Sequence, residues 1–288
     1  MRGMQLPEYS ASNVDDVNRP APDFDVREYA RTAVGNLREG LTLAAYEDAP
    51  LSTESLRTIA LLQAVERSTM QHLRTVLVTP THKDARITAF LTTWAFEKFW
   101  IADALSGILA AHPALPVVKK RAAIVRFGRE VAERFAPIRE SLVANQIGVP
   151  VLAVHMATGA IDGWVTQAAY ARIAELEQNA ELSTTMETVL GIKARHLTFF
   201  EPQSEYRLGA SAKAQSLARK RLARSAWPIG ADELPTSDRH FFFDRLFRSS
   251  PGLAESIDSA IDGLPGLSGL GLIARAAGNR AAGTRSAA

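Results

Sequence analysis

Apolar residues recur three and four apart along four long stretches of the chain, the spacing of helices that each bury one face. Ser52 caps the first, which runs to about Val78 with Ile59, Leu62, Glu66, Thr69, Leu73 and Leu77 turned inward. Asp84 caps the second, which runs to about Ala111 with Ile87, Leu91, Trp94, Lys98, Ile101, Leu105 and Ile108 in its stripe. The third spans Val151 to about Gln178, with Leu152, His155, Gly159, Gly163, Thr166, Tyr170 and Ile173 inward. A Thr184–Glu187 capping box opens the fourth, which turns Met186, Val189, Leu190, Lys193, His196, Leu197 and Phe200 to one side and is kinked or ended by Pro202. No stretch sustains the alternation of a strand, so the expected fold class is all-α.

Short loops join the first helix to the second and the third to the fourth, whereas a long segment separates the second from the third. Within that segment Val117 to Asn145 reads as a helical connection, kinked or divided near Pro137. Two hairpins joined by a long crossover predict an antiparallel four-helix bundle. Residues 1–24 read as a flexible arm, and a short helix is expected between Val26 and Tyr46. The bundle takes residues 25–225, with the helical pattern resuming after Pro202 to about Ser225. Residues 226–273, including the aromatic run His240–Phe247, are expected to form extra C-terminal helices packed on the bundle, and residues 274–288 a disordered tail. The glycines of Gly266–Gly271 lack the preceding strand of a phosphate loop, and the leucines among them offer an apolar surface to a partner.

Composition narrows the function. Hydrophobic residues make up 47% and charged residues 22%, a folded globular balance. With 33 basic against 31 acidic residues, the net charge of +2 gives no field to gather a nucleic acid. The absence of cysteine excludes disulfides, thiolate nucleophiles and thiolate-ligated metal centres, so any metal would need His, Asp or Glu. Neither a leader-like apolar segment near Met1 nor an apolar run of about 18 residues is present, so no transmembrane segment and a cytoplasmic location are expected. A homodimer is compatible with all of this.

The charges on the stripes change the picture more. Glu66, Lys98 and Lys193 each sit mid-stripe, and His196 lies one turn beyond Lys193. A buried ammonium must find a carboxylate or lose its proton. Glu66 and Lys98 are 32 positions apart and Gly163 and Lys193 are 30 apart, which sets each pair at one level of its hairpin. Against this stands the plainer arrangement in which the lysines snorkel to solvent and His196 is a satisfied core histidine. Glu97 and Asp162 lie about a hundred degrees off the stripes, as interhelix partners able to compensate a lysine. His72 is off the face of Glu66, and His82 and His112 are expected to be solvated in loops.

Three of these stretches resemble the ferritin-like superfamily, nearest its diiron oxygenase and desaturase-type branches, over residues 55–210. Trp94-Ala95-Phe96-Glu97-Lys98-Phe99-Trp100-Ile101 is similar to the second-helix pattern Trp-x-x-Glu-Glu-x-x-His. Gly163-Trp164-Val165-Thr166-Gln167-Ala168-Ala169-Tyr170 is similar to the third-helix pattern, in which Glu is followed by Thr and Tyr. Ile192-Lys193-Ala194-Arg195-His196 is similar to Asp-Glu-x-Arg-His of the fourth. The resemblance implies a ferritin-like bundle with metal ligands on all four helices. Carried across, only Glu66 and His196 survive as vestigial ligands. Lys98 and Lys193 stand in place of glutamates, Ile101 in place of a histidine and Gly163 in place of the third-helix glutamate.

Charge counting then argues against a dimetal centre, since each lysine within about 5 Å of a divalent ion would repel it by several kcal/mol at an effective dielectric near 20. The leading expectation is a degenerate ferritin-like protein with no cofactor, acting as a structural module or holding an apolar small molecule between its helices. A metal-free enzyme using a neutral Lys98 or Lys193 as base or Schiff-base nucleophile is the first alternative. The second is an oxygen-dependent, iron-using oxidoreductase like the family's diiron enzymes, with Glu66 and His196 as ligands of an unusual mononuclear site.

Overall fold

The computed structural model describes residues 23–112 and 148–278, and regular structure among them is helical without strands. The α-helices are α1 (Val26–Arg31), α2 (Ala45–Asp48), α3 (Thr53–Leu77), α4 (Ala85–Ala110), α5 (Pro150–Glu177), α6 (Ala180–Gly209), α7 (Ala212–Leu222), α8 (Thr236–Phe243), α9 (Pro251–Gly263) and α10 (Leu272–Ala276). The connection read as helical over Val117–Asn145 lies outside the described residues, as do residues 1–22 of the arm and 279–288 of the tail. None of the described helices is long and apolar enough to cross a membrane.

Local chemistry sets the ends. Ser52 Oγ accepts from the Ser55 amide at 3.2 Å and Asp84 Oδ1 from the Ile87 amide at 3.0 Å, so both expected caps are made. The fourth long helix starts earlier than its sequence suggests. Gln178 takes a left-handed conformation at φ 49°, and Asn179 then caps the Leu182 amide at 2.9 Å. Thr184 is thereby inside α6, where its hydroxyl donates to the Ala180 carbonyl and caps nothing. Pro202 does not end α6 either, which runs on to Gly209 because Gln203, Ser204 and Leu208 keep its inner face buried. Between Val26 and Tyr46 the expected single helix is broken into α1 and a 3-10 turn at Leu37–Gly40, since Asn36 adopts φ 48°.

Helices α3 and α4 form one hairpin around the turn Pro80–Lys83, and α5 and α6 form another. The hairpins meet through α3 on α5 and α4 on α6, while α7 lies along α5. Their apolar interior is two blocks. One holds Leu62, Val65, Ile101, Leu105, Val165, Tyr170, Met186, Val189 and Ile192. The other holds Leu73, Phe90, Leu91, Trp94, Leu152, Met156, Phe199 and Phe200, with Phe90 and Phe199 stacked at 3.8 Å. On α3, α4 and α6 the first block gives way to the second around Glu66 and Thr69, Lys98, and Lys193 and His196, whereas on α5 the two blocks take different faces of the stretch before Asp162.

The C-terminal region continues the first block. Phe242, Phe243 and Phe247 are buried in it, and Phe241 lies beneath the Arg57 guanidinium at 4.0 Å. Leu264, Leu267, Leu270 and Leu272 are buried there too, so the leucines around Gly266–Gly271 serve the core and present no apolar surface. Order extends past residue 274, where the tail was expected to begin. Asp258 accepts from the amides of Ile273 and Ala274 at 3.0 and 2.8 Å, and Ala277 is buried.

Candidate functional site: a buried charge network

Four ionisable side chains meet where the two apolar blocks divide. Lys193 Nζ lies 2.6 Å from Glu66 Oε1, Lys98 Nζ lies 3.3 Å from Glu66 Oε2, and Lys98 Nζ lies 2.9 Å from Asp162 Oδ2. Each of the four is at most 2% exposed. The lysines therefore do not snorkel. Tyr170 donates its hydroxyl to Glu66 Oε1 at 3.0 Å, and Asp162 Oδ1 accepts the Ile229 amide at 2.8 Å. Two carboxylates face two ammonium groups, so the cluster is formally neutral, the condition under which buried charge is tolerable.

The members are not equivalent. Burial would push the Glu66 carboxyl up, but the amines of Lys193 and Lys98 outweigh it and hold the group below its usual range. Asp162 is held down in the same way, against burial, by Lys98 and then Lys193. For Lys98, burial favours the neutral amine, yet Asp162 and Glu66 together raise its affinity for a proton above normal. For Lys193, burial, joined by the repulsion of Lys98, outweighs the pull of Glu66 and Asp162, and its proton is held less tightly than in water. The short contact to Glu66 keeps a shared proton between the two groups, whichever of them carries it.

His196 does not join this network. Its Nε2 lies 2.8 Å from Glu97 Oε2, in a second cluster where Glu97 also accepts from Tyr29 Oη at 2.7 Å, the Val34 amide at 2.8 Å and Arg195 Nη2 at 3.1 Å. Burial foremost, with Lys193 and Lys98 adding to it against the pull of Glu97, lowers the imidazole pKa to about 4. The neutral ring donates from Nε2, and its buried Nδ1 has no partner. Of the two off-stripe carboxylates, Asp162 thus compensates a lysine while Glu97 ties the segment before α2 onto α4 and α6. His112 differs from its expected solvation: it is buried, donates to the Ile108 carbonyl from Nδ1 and accepts the Leu51 amide at Nε2. His82 is exposed.

Asp162 is the member that stripe-reading undervalued. A residue one position off a helix's inward face ought to point aside, but α5 is covered on its outer side by α7 and its whole circumference is buried from Ala160 to Gly163. The signal present in the sequence was an acidic residue inside the apolar run Met156–Val165.

These residues do not fit a pair of metal ions. Among the described residues no group of three or more His, Asp or Glu side chains converges in a way that could hold one. Gly163, where the resemblance would put the third-helix glutamate, has no room for a side chain: a Cβ there would lie 2.5 Å from Leu197 Cδ2. Ile101, where it would put a histidine, is fully buried apolar packing. Gly163→Ala is expected to destabilise the fold by up to about 2 kcal/mol, the overpacking cost of about 1–3 kcal/mol less the helix-propensity gain of about 1 kcal/mol. Adding Leu197→Ala should recover part of the clash term, read as non-additivity in urea unfolding. Comparison of the chain with protein-family models, curated proteins and solved structures finds no match.

Proposed function

We propose that the protein is a ferritin-like four-helix bundle that has exchanged a dimetal centre for a neutral charge network, and that it works as a metal-independent, non-catalytic scaffold. The observation that carries this reading is Glu66 bridging two buried amines, one from each hairpin. An ammonium on either side of the surviving carboxylate supplies the positive charge that ions would otherwise bring. Leu197 packed over Gly163 and Ile101 within the core support it further.

What the scaffold carries follows from Asp162. Its second oxygen takes the Ile229 amide, and Gly230, at φ 84°, rests so closely on α3 that a Cβ would fall 2.0 Å from Ser68 Oγ. The charge network thereby fastens the start of the C-terminal region to both hairpins. Two cavities, one in the C-terminal region and one beside the Leu37–Gly40 turn, lie away from the charged layer. The Lys193 amine, though its proton is held less tightly than in water, is 1% exposed, which disfavours a Schiff-base role.

The test is metal loading of the full chain. After aerobic incubation with Fe(II) and desalting, elemental analysis is expected to find well under one iron per chain. Two irons per chain would overturn the reading in favour of the diiron oxidoreductase. In the same protein, Asp162→Ala should accelerate amide exchange at Ile229 and through 226–234 more than in α4.

A further inference from the structure

We propose that the C-terminal region holds a binding site for a small organic anion, one bearing a carboxylate or phosphate on an apolar body. A cavity of about 430 Å³ opens where the end of α7 meets α8 and α10, a volume suited to a ligand of modest size. Arg239, His240 and Arg275 line it, and no carboxylate does.

Two donors of lining residues are buried beside the cavity. Trp227 is 4% exposed, and its Nε1 has no hydrogen-bond partner among the described residues. The Nε of Arg239 is also buried and unpartnered, while the same guanidinium is held in place by an Nη2 bond to Thr236 Oγ1 at 3.2 Å. Arg275 is steadied by its own Nε bond to the Gly271 carbonyl at 3.0 Å, which leaves its terminal nitrogens for a ligand. A guanidinium presents a planar fork that matches carboxylate and phosphate geometry. Trp227, Phe243 and Leu272 add apolar surface to the lining, so an inorganic ion alone would leave that surface unused.

The test titrates the full chain by calorimetry at low salt with three probes of one body: phenyl phosphate, benzoate and benzyl alcohol. Saturable one-to-one binding of phenyl phosphate or benzoate is expected, at least tenfold tighter than benzyl alcohol and weakened by added salt. Arg239→Gln should weaken it tenfold or more and Arg275→Gln several-fold, while Arg172→Gln, on α5 and outside the cavity lining, leaves it unchanged. Circular dichroism melts of the unliganded variants should match the parent, so that lost binding is not lost folding. No saturable binding of either anion up to 10 mM, or affinity unchanged in Arg239→Gln, would overturn the site. Neither result bears on iron loading, so the scaffold reading stands or falls separately.

Discussion

Lys98→Met is expected to cost about 3–5 kcal/mol of stability, the largest loss from any single substitution in the charged layer, because it leaves Asp162 buried without its cation. For a domain of this size that is a fall in melting temperature of about 6–20 °C. Asp162→Asn alone should also be costly, since Lys98 would then depend on Glu66, which Lys193 already shares. The informative variant combines them. With Lys98→Met and Asp162→Asn introduced together, the Lys193–Glu66 pair remains balanced, and the new side-chain amide's carbonyl can still accept the Ile229 N–H. The double variant should therefore lose at least about 2 kcal/mol less than the sum of the single losses, the coupling of a buried ion pair in a double-mutant cycle. Strict additivity in urea unfolding would mean that the two side chains do not depend on each other, and the network as described would be wrong.

How far this layer was legible depends on which physical signal each residue left. Glu66, Lys98 and Lys193 stood out because each interrupts an apolar stripe at its centre, and Glu66 and Lys98, 32 positions apart, meet at one level of the first hairpin. Asp162 and Glu97 lay off the stripes, and a stripe presumes one buried face. That presumption fails for α5 under α7, and for α4 where Tyr29 and Val34 cover it, so the pairing of Asp162 with Lys98 and of Glu97 with His196 needed tertiary structure. Helix ends failed for a different reason. Thr184 and Asn179 are both capping residue types, and only the left-handed turn at Gln178 decides between them. His112 looked like loop, yet a ring with a donor and an acceptor nitrogen can satisfy two backbone groups at a buried helix end. A second cavity of about 240 Å³, between the Leu37–Gly40 turn and Thr184, Thr185 and Thr188 of α6, left no trace in the sequence at all, because it depends on how a broken segment drapes over α4 and α6.

His196 makes the second large effect one of pH. Its folded pKa of about 4 lies below the unfolded value near 6.5, so between those limits the unfolded chain binds a proton that the native chain refuses. Stability therefore falls as pH falls through that window. The slope contributed by this one residue is about 1.4 kcal/mol per pH unit at most, accumulating to about 3 kcal/mol. Below it a second decline begins. Glu66, Asp162 and Glu97 are held under their usual carboxylate range, so the stability they lend is present above their unfolded values and is lost as pH falls through their folded ones. His196→Gln separates the two, because an amide can still donate to Glu97 Oε2 but takes up no proton in the unfolded state. The variant should track the parent above pH 7, apart from a constant offset, and then lose stability less steeply between about pH 6.5 and 4.5, by close to one proton in the linkage slope. Urea unfolding at half-unit pH intervals measures this. Parallel curves for parent and variant across the window would show that the imidazole is charged in the folded protein, and that Glu97 faces His196 as an ion pair.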